Sequence, residues 1–515
     1  MIMAALALSG ILGLLRQVLI AAAFGADREL DAFYAALRVP ETLFVLVAGG
    51  ALASAFIPVF AARLAEDDLA GAWKLASSTL SFMGAGAALL SLAAFLLADP
   101  LVAIFLSPGA PAADQALTAD LMRIMLLTVV IFGVSGLMMG ILNGYQHFLA
   151  PALAPSMYNL GLILGAVVLA PEGGLDLGVY GLAWGAVIGA GLHLLVQVPS
   201  LARLPGLRLW PVWDWRDSGA GEVFRLMLPR IVGLGAVQIN FWLNAALTSS
   251  MAPGSLTALQ TAFALMFTVL GILGQSIGTA VFPTLSRLAA EGDTKRFGQT
   301  LLPALQNVYF LSLPAGFGLA ALAVPIVAVL FERGAWTRTD TQGAAWALAL
   351  FGVGLAGHAI LEVLARAFYA LQDTWTPVKI GLATIAFNMA LSLLIVGVYP
   401  DSAPFERGPF GALALAMSFA TALESAALWW LLRRRITLAD GPALRNLGLS
   451  TLAGLTMAGA VLLWQALGAG LPMLVLLLGG VLIGALTYGL AAWALGMEQA
   501  ALIVARLRDR LGRPS

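Results

Sequence analysis

The chain has 515 residues, of which 61% are hydrophobic and 10% charged, and its 27 basic and 27 acidic residues cancel to a formal charge of zero. Soluble domains carry about 25% charged residues. This chain therefore lacks the polar surface to cover a soluble core of its size, and nothing in its charge balance suggests a nucleic-acid partner. The absence of cysteine excludes a disulfide framework and thiolate chemistry.

Apolar runs of membrane-spanning length recur from end to end. The first, residues 3–24, has no basic region before it and is interrupted by Arg16, so it is expected to be a retained span rather than a cleaved signal. Thirteen more follow near 31–62, 72–98, 119–145, 149–170, 176–200, 222–249, 255–286, 297–331, 341–371, 376–399, 409–432, 444–468 and 471–496. The expected fold class is thus all-α and polytopic, with fourteen transmembrane helices. The apolar piece 100–107 is too short to span and is expected at an interface. Pro40, Pro58, Pro229, Pro314 and Pro325 fall inside spans, where a missing N–H predicts bends. Loops after even-numbered spans, with the tail, hold seventeen Lys and Arg residues, against four in loops after odd-numbered spans. That asymmetry predicts both termini in the cytoplasm, which requires an even number of spans.

Two signals repeat. AFIPVFAARLAE (55–66) returns as AVFPTLSRLAAE (280–291), and GYQHFLAP (144–151) returns as FYALQDTWTP (368–377). The prolines of each pair, Pro58 and Pro283, then Pro151 and Pro377, stand 225 and 226 positions apart. The expected organisation is an N-terminal lobe of six spans (1–216), a second lobe of six (217–440), and a C-terminal piece (441–515) with two spans and a tail. Six spans per repeat preserve orientation, so the lobes are expected to be related by an axis along the membrane normal, an arrangement of secondary transporters.

Ionisable groups inside spans are costly and face a cavity or a partner. Arg16 lies in the first span. Asp31, Arg38 and Glu41 follow on one face of the second. Arg225 and Arg230 flank Pro229, and Glu362 and Arg366 stand at i,i+4, a natural ion pair. Arg16, Asp31, Arg38, Glu41 and Arg230 are the candidate substrate-binding residues, since guanidinium forks suit a phosphate or pyrophosphate. The other reading is that the charges neutralise one another and pin helices, which is the expectation for Glu362 and Arg366. Asn240, Asn244, Asn388 and Glu424 form a second polar set. Their oxygens suit a small hard cation such as sodium, or hydrogen bonds between helices. His147, His193 and His358 are dispersed and make no metal-ligand pattern. No nucleophile–base or acid–metal constellation suggests an enzyme.

The stretches LSGILGLLRQVLIAAAFGADRELDAFYAALRVP (8–40), GGALASAFIPVF (49–60), GILNGYQHFLAPALAPSMYN (140–159), SIGTAVFPTLSRLAAEGD (276–293) and FYALQDTWTPVK (368–379) together resemble the MurJ/MviN family of the multidrug/oligosaccharidyl-lipid/polysaccharide exporter superfamily. The resemblance implies a lipid II flippase of the bacterial inner membrane. Such a protein carries an undecaprenyl-pyrophosphate-linked disaccharide pentapeptide across the bilayer by alternating access. It also implies two lobes in a V, a groove for the lipid tail formed with spans 13 and 14, and drive from membrane potential or a sodium gradient. No GxxxxGK[ST] phosphate loop is present, which agrees with the absence of ATP drive. No cofactor is expected beyond sodium as a coupling ion, and the partners are the polyprenyl-linked substrate and membrane lipids, with the protein acting as a monomer. By resemblance Arg16 falls on the family's cavity arginine of the first span, Asp31 on the acid opening the second, and Asn388 on a sodium-associated asparagine, with Asn244 and Glu424 close to other positions of that site.

Four usual cationic positions depart. Gly10 follows Ser9 where the family has an arginine, Phe44 and Val45 replace two basic residues, and Ala264 replaces another arginine. Gly49 also stands where the family has an acid. A pyrophosphate needs compensation for lost hydration, so a different lipid-linked glycan is the alternative substrate. Further alternatives are a drug exporter, expected to have twelve spans and no tail groove, and a membrane scaffold that has lost transport.

Overall fold

The computed structural model describes the whole chain except residues 1, 48–49, 217, 400–402, 437–440, 498 and 501–515. Every described element is helical. This is the consequence of placing a backbone in hydrocarbon, where each N–H and C=O must be paired within its own segment.

The chain divides into two compact units. The first comprises Met1–Thr257 and Arg333–Thr337. Its helices are α1 (Ile2–Phe24), α2 (Arg28–Val47), α3 (Gly50–Ala65), α4 (Leu69–Leu96), α5 (Ala98–Leu101), α6 (Ala112–Met125), α7 (Leu127–Gly144), α8 (Leu149–Leu164), α9 (Val179–Leu195), α10 (Val198–Leu201) and α11 (Ala220–Thr248). α1 lies on α8, α8 on α9, α2 on α6, and α11 on α2 and α3. One apolar cluster joins Ile20, Phe33 and Val39 to Met122, Leu162 and Leu182. A second gathers Phe56, Phe60, Trp73, Leu137, Ile141 and Met227. The piece 100–107, expected at an interface, falls largely in α5 and the π-helical turn Val102–Leu106 that follows it, with Ala98, Val102 and Leu106 buried in the first cluster.

The close approach of α8 to α9 depends on glycine. A Cβ on Gly161 would stand 2.2 Å from Gly189 Cα and 2.7 Å from the Gly185 carbonyl oxygen. Small residues at such crossings let backbones meet, and dispersion then replaces the hydrophobic drive that lipid cannot supply.

The second unit comprises Ala258–Glu332 and Arg338–Ser515. It holds most of α12 (Ser255–Leu270), then α13 (Ser276–Ala290), α14 (Thr294–Ala321), α15 (Ala323–Phe331), α16 (Arg338–Ala370), α17 (Trp375–Val398), α18 (Pro409–Arg433), α19 (Gly441–Leu467) and α20 (Met473–Ala494). α16 is central, packed by α13, α14, α15 and α18. α19 and α20 pair with each other, α19 also against α14 and α20 against α15.

The helix runs through Pro40, Pro58 and Pro314, where bends were expected. The sharp bend, 72° between α14 and α15, falls just before Pro325. Proline at that position cannot donate to the carbonyl four residues back. That carbonyl, on Ala321, instead accepts from the Gln465 amide of α19 at 2.6 Å.

Eleven helices among the described residues are long and apolar enough to cross a membrane, and the bent α14–α15 pair makes a twelfth. The fold is therefore an all-α polytopic one.

The sequence repeat has a local structural counterpart. α3, α7, α13 and α16 all end in the same hydrogen-bonded stop, with a left-handed residue at Asp67, Gln146, Gly292 and Gln372. In each, the next residue's N–H reaches five positions back, as from His147 to Leu142 and from Asp373 to Phe368. This pattern satisfies carbonyls that a helix end leaves free. In three of the four an aspartate then caps the following backbone. Asp68 accepts from Gly71, Asp293 from Arg296 and Asp373 from Thr376.

Burial raises the Asp373 carboxyl, but hydrogen bonds from the Thr376 side chain and backbone and the Arg435 guanidinium at 2.5 Å outweigh it, bringing it from 3.8 to about 2. The ionised form is thus favoured by folding. Its contribution is complete above pH 3.8 and is lost as pH falls toward about 2. In detergent, Asp373→Asn is expected to be less stable than the parent at neutral pH and to converge with it as pH falls through that window. Thermal unfolding followed by tryptophan fluorescence at a series of pH values checks this. By the same measurement, Gly161→Val should lower stability by about 1–3 kcal/mol, because backbone cannot yield to the added carbons.

Candidate functional site

Tyr34, which sequence reading passed over, sits on α2 three residues after Asp31 and four before Arg38. Tyr158 sits on α8, which packs against the α1 helix that carries Arg16. α8 is held beside α1 by the Asn159 amide, which donates to the Ser9 carbonyl at 3.3 Å. Spacing from Asp31 and Arg38 was the available signal for Tyr34. For Tyr158 there was only its place in the 140–159 motif.

The two arginines differ in kind. Arg38 is 4% exposed, lies over the Phe241 ring at 5.2 Å and pairs with Glu41 at 3.1 Å. The surrounding joint is tightened by Thr42, which donates to the Arg38 carbonyl and accepts from Trp242 of α11 at 2.8 Å. Arg16 is half-buried and has no ion-pair partner among the described residues. A guanidinium so placed can hold an anionic group. Arg230 lies on α11, and its side chain falls outside the described residues.

Asp31 has a structural task in this conformation. Its carboxylate accepts from the Gly254 N–H at 2.8 Å and from both the N–H and the hydroxyl of Thr257 at 2.7 Å. It therefore caps the first turn of α12, where backbone donors and the helix dipole favour an anion. Beside it is a cavity of about 130 Å³, walled by Arg28, Ser107, Asp114, Thr248 and Ser249. Arg28 bridges to Asp114 at 3.2 Å.

Of the second polar set, Asn240 and Asn244 lie on α11 in the first unit, the former buried. Asn388 on α17, 3% exposed, and Glu424 on α18 belong to the second unit. There Thr384, one turn before Asn388, donates to the Glu424 carboxylate at 3.2 Å. No three His, Cys, Asp or Glu side chains cluster to share an ion among the described residues. Glu362 and Arg366 pair with each other, and Gln275 approaches the same carboxylate.

The second unit also contains an apolar groove of about 330 Å³ among α14, α16, α18 and α19, lined by Leu302, Leu305, Tyr309, Ile360, Trp429 and Leu447. Its lining is suited to a hydrocarbon chain rather than a polar ligand.

In fold, the chain resembles solved membrane transporters. It superposes on a lipid II flippase MurJ in an inward closed conformation with a TM-score of 0.79 at 24% identity, covering 95% of this chain and 97% of that one. An inward-facing multidrug resistance MATE family transporter of the MOP superfamily follows at TM-score 0.69 and 14% identity, over 83% and 94% of the two chains. The class defined by this fold is the multi-pass α-helical membrane protein. Among curated sequences, the lipid II flippase MurJ of Burkholderia cenocepacia is 31% identical over 433 residues, 83% of this chain and 82% of that protein. The probable lipid II flippase MurJ of Bdellovibrio bacteriovorus is 31% identical over 95% of this chain and 93% of its own. The sequence pattern of the lipid II flippase MurJ family matches residues 20–478, and the chain belongs to that family. It is a multi-pass protein of the bacterial inner membrane.

Replacing Asp31 by alanine leaves the first α12 donors without their acceptor. The expected loss is roughly 2 kcal/mol, read as a lower unfolding temperature in detergent, with Asp31→Asn losing less because it retains an acceptor oxygen.

Proposed function

We propose that the protein moves lipid II, the polyprenyl-pyrophosphate-linked peptidoglycan precursor, from the cytoplasmic to the outer leaflet by alternating access. Family membership supports the substrate, and one observation carries the site. Arg16 is a partly buried cation on α1, which packs against α8, and it has no ion-pair partner among the described residues. The diphosphate is held there, with Arg38 and Arg230 contributing positive potential and Glu41 moderating it. The apolar groove of the second unit takes the isoprenoid tail, which stays in hydrocarbon while the headgroup crosses. Placing the tail there supports the expected role of α19, which contributes Leu447, and of α20 packed behind it.

The full transmembrane count is fourteen in this reading. The α2–α3 stretch and α11 are added to the eleven long apolar helices and the bent pair, because each runs the length of a span but is interrupted or carries charge. Both termini lie in the cytoplasm. The lobes 1–216 and 217–440 rock against each other, and the matched helix stops near 67 and 292, and near 146 and 372, support the repeat that relates them. A cation coupled to this motion is ligated within the second unit by oxygens of Asn388, Thr384 and Glu424.

The reduced arginine set is a real departure. Phe44 packs on Phe132 at 5.0 Å, and Phe263 and Phe267 stack beside Ala264, so two of the family's cationic positions are now apolar. Gly10 differs, for a side chain there meets nothing within 4 Å. A lipid-linked glycan of another kind is the second reading, supported by these same losses.

Expression in cells depleted of their own lipid II flippase, followed by growth and by lipid II at the outer face, tests the proposal. The parent is expected to rescue, Arg16→Ala to lose rescue while still inserting, and Gly10→Arg to keep or raise it. Rescue by Arg16→Ala would refute the headgroup clamp. An inserted parent that fails to rescue would overturn lipid II as substrate.

A further inference from the structure

Between α10 and α11 the chain reads RLPGLRLWPVWDWR (203–216), an extended strap fixed to the first third of α4. Trp73 donates to the Pro205 carbonyl at 3.1 Å, Ser77 to Arg208 at 3.1 Å and Ser78 to Asp214 at 2.5 Å. The Val212 N–H donates to Ser81 at 2.9 Å, and Lys74 bridges to Asp214 at 2.6 Å. Phe82 meets the edges of Trp213 and Trp215, and Trp215 stacks on Phe224 of α11. The strap is therefore pinned on two elements.

What it presents outward is unusual for an ordered polar segment. Trp210, Trp213 and Trp215 are 72%, 62% and 47% exposed, and Leu207 is exposed beside them. Arg203, Arg208 and Arg216 are exposed as well, while Asp214, the strap's acid, is engaged by Lys74. Three large rings left in water would oppose folding, whereas the same rings are favoured at the level of lipid headgroups. Depth agrees. α4 has 28 residues, about 42 Å of helix, against a hydrocarbon thickness of roughly 30 Å. About a third of it must project beyond the acyl chains. The continuous apolar run starts at Phe82, so Ser77, Ser78 and Ser81 stand at the boundary where the rings would enter.

We infer that the 203–216 strap is a binding surface for anionic phospholipid headgroups, its tryptophans seated among the lipids and its three arginines holding their phosphates. This goes beyond substrate transport, since no strap residue lines the cavity beside Asp31 or the apolar groove or is among those assigned to the substrate. Net positive charge on the strap selects anionic over zwitterionic lipid, each basic residue near such a surface adding to the attraction.

The chain has no cysteine, so Leu207→Cys in the full-length protein offers a unique position for a fluorophore. The labelled protein is placed in vesicles of phosphatidylcholine and phosphatidylglycerol, with one or the other lipid brominated to quench on contact. Brominated phosphatidylglycerol is expected to quench at least about fivefold more effectively than brominated phosphatidylcholine. That preference should vanish in the variant carrying Arg203→Gln, Arg208→Gln and Arg216→Gln. Absence of quenching by either lipid would overturn the inference and point to water or a soluble protein over the strap. Equal quenching in the parent, or a preference that survives the triple substitution, would overturn it too. Transport failure by itself would leave these readouts unmoved, which separates this inference from the flippase reading.

Discussion

Every backbone polar group in a bilayer must find its partner inside the protein, and most of this structure follows from that demand. Helices satisfy it along their length but leave donors free at one end and acceptors at the other. The recurring stop after α3, α7, α13 and α16 satisfies the acceptors, even where the left-handed position is occupied by aspartate or glutamine rather than glycine. Asp31 satisfies donors at the opening of α12 through three hydrogen bonds. At the one sharp bend, the carbonyl freed by Pro325 is taken by Gln465, a side chain 144 positions away. A residue that reads as an isolated polar intrusion in an apolar run thus completes the ladder of another helix.

Charge obeys the same economy, and its exceptions locate function. Arg38, Glu41 and Phe241 form a mutually compensated group, as do Glu362 and Arg366. Arg16 is compensated less, with no ion-pair partner among the described residues. An uncompensated guanidinium within a membrane segment is costly.

Hydropathy made the fold legible because spans are long and lipid imposes a strong periodic filter. Among the described residues eleven of the apolar runs appear as helices able to cross a membrane and a twelfth as the bent α14–α15 pair, and Asp31, Arg38 and Glu41 share α2. What sequence could not supply were relations between distant positions. Nothing in the neighbourhood of Arg38 indicates that Phe241 will cover it, and nothing near Asp31 indicates that its acceptors are already committed to Gly254 and Thr257. Proline creates the opportunity to bend, and among the described residues the break between α14 and α15 falls just before Pro325, with an amide available to receive the orphaned carbonyl.

Three helical runs contain a single wide turn, at Val102–Leu106, Gly165–Leu169 and Gly271–Gln275. Such a turn stores one residue more than an α turn. If it migrates along its helix, each residue it passes is re-aimed by roughly 100°, while the helix ends stay where they are and only a few local bonds exchange. Between α12 and α13 this amounts to a screw thread with slack in it. The face shown by Gly271–Gln275 and the residues after it can be rotated from one surrounding to another without sliding the helix through the bilayer. A protein with almost no polar surface to rearrange would then have winding, rather than translation, as a low-cost coordinate of motion.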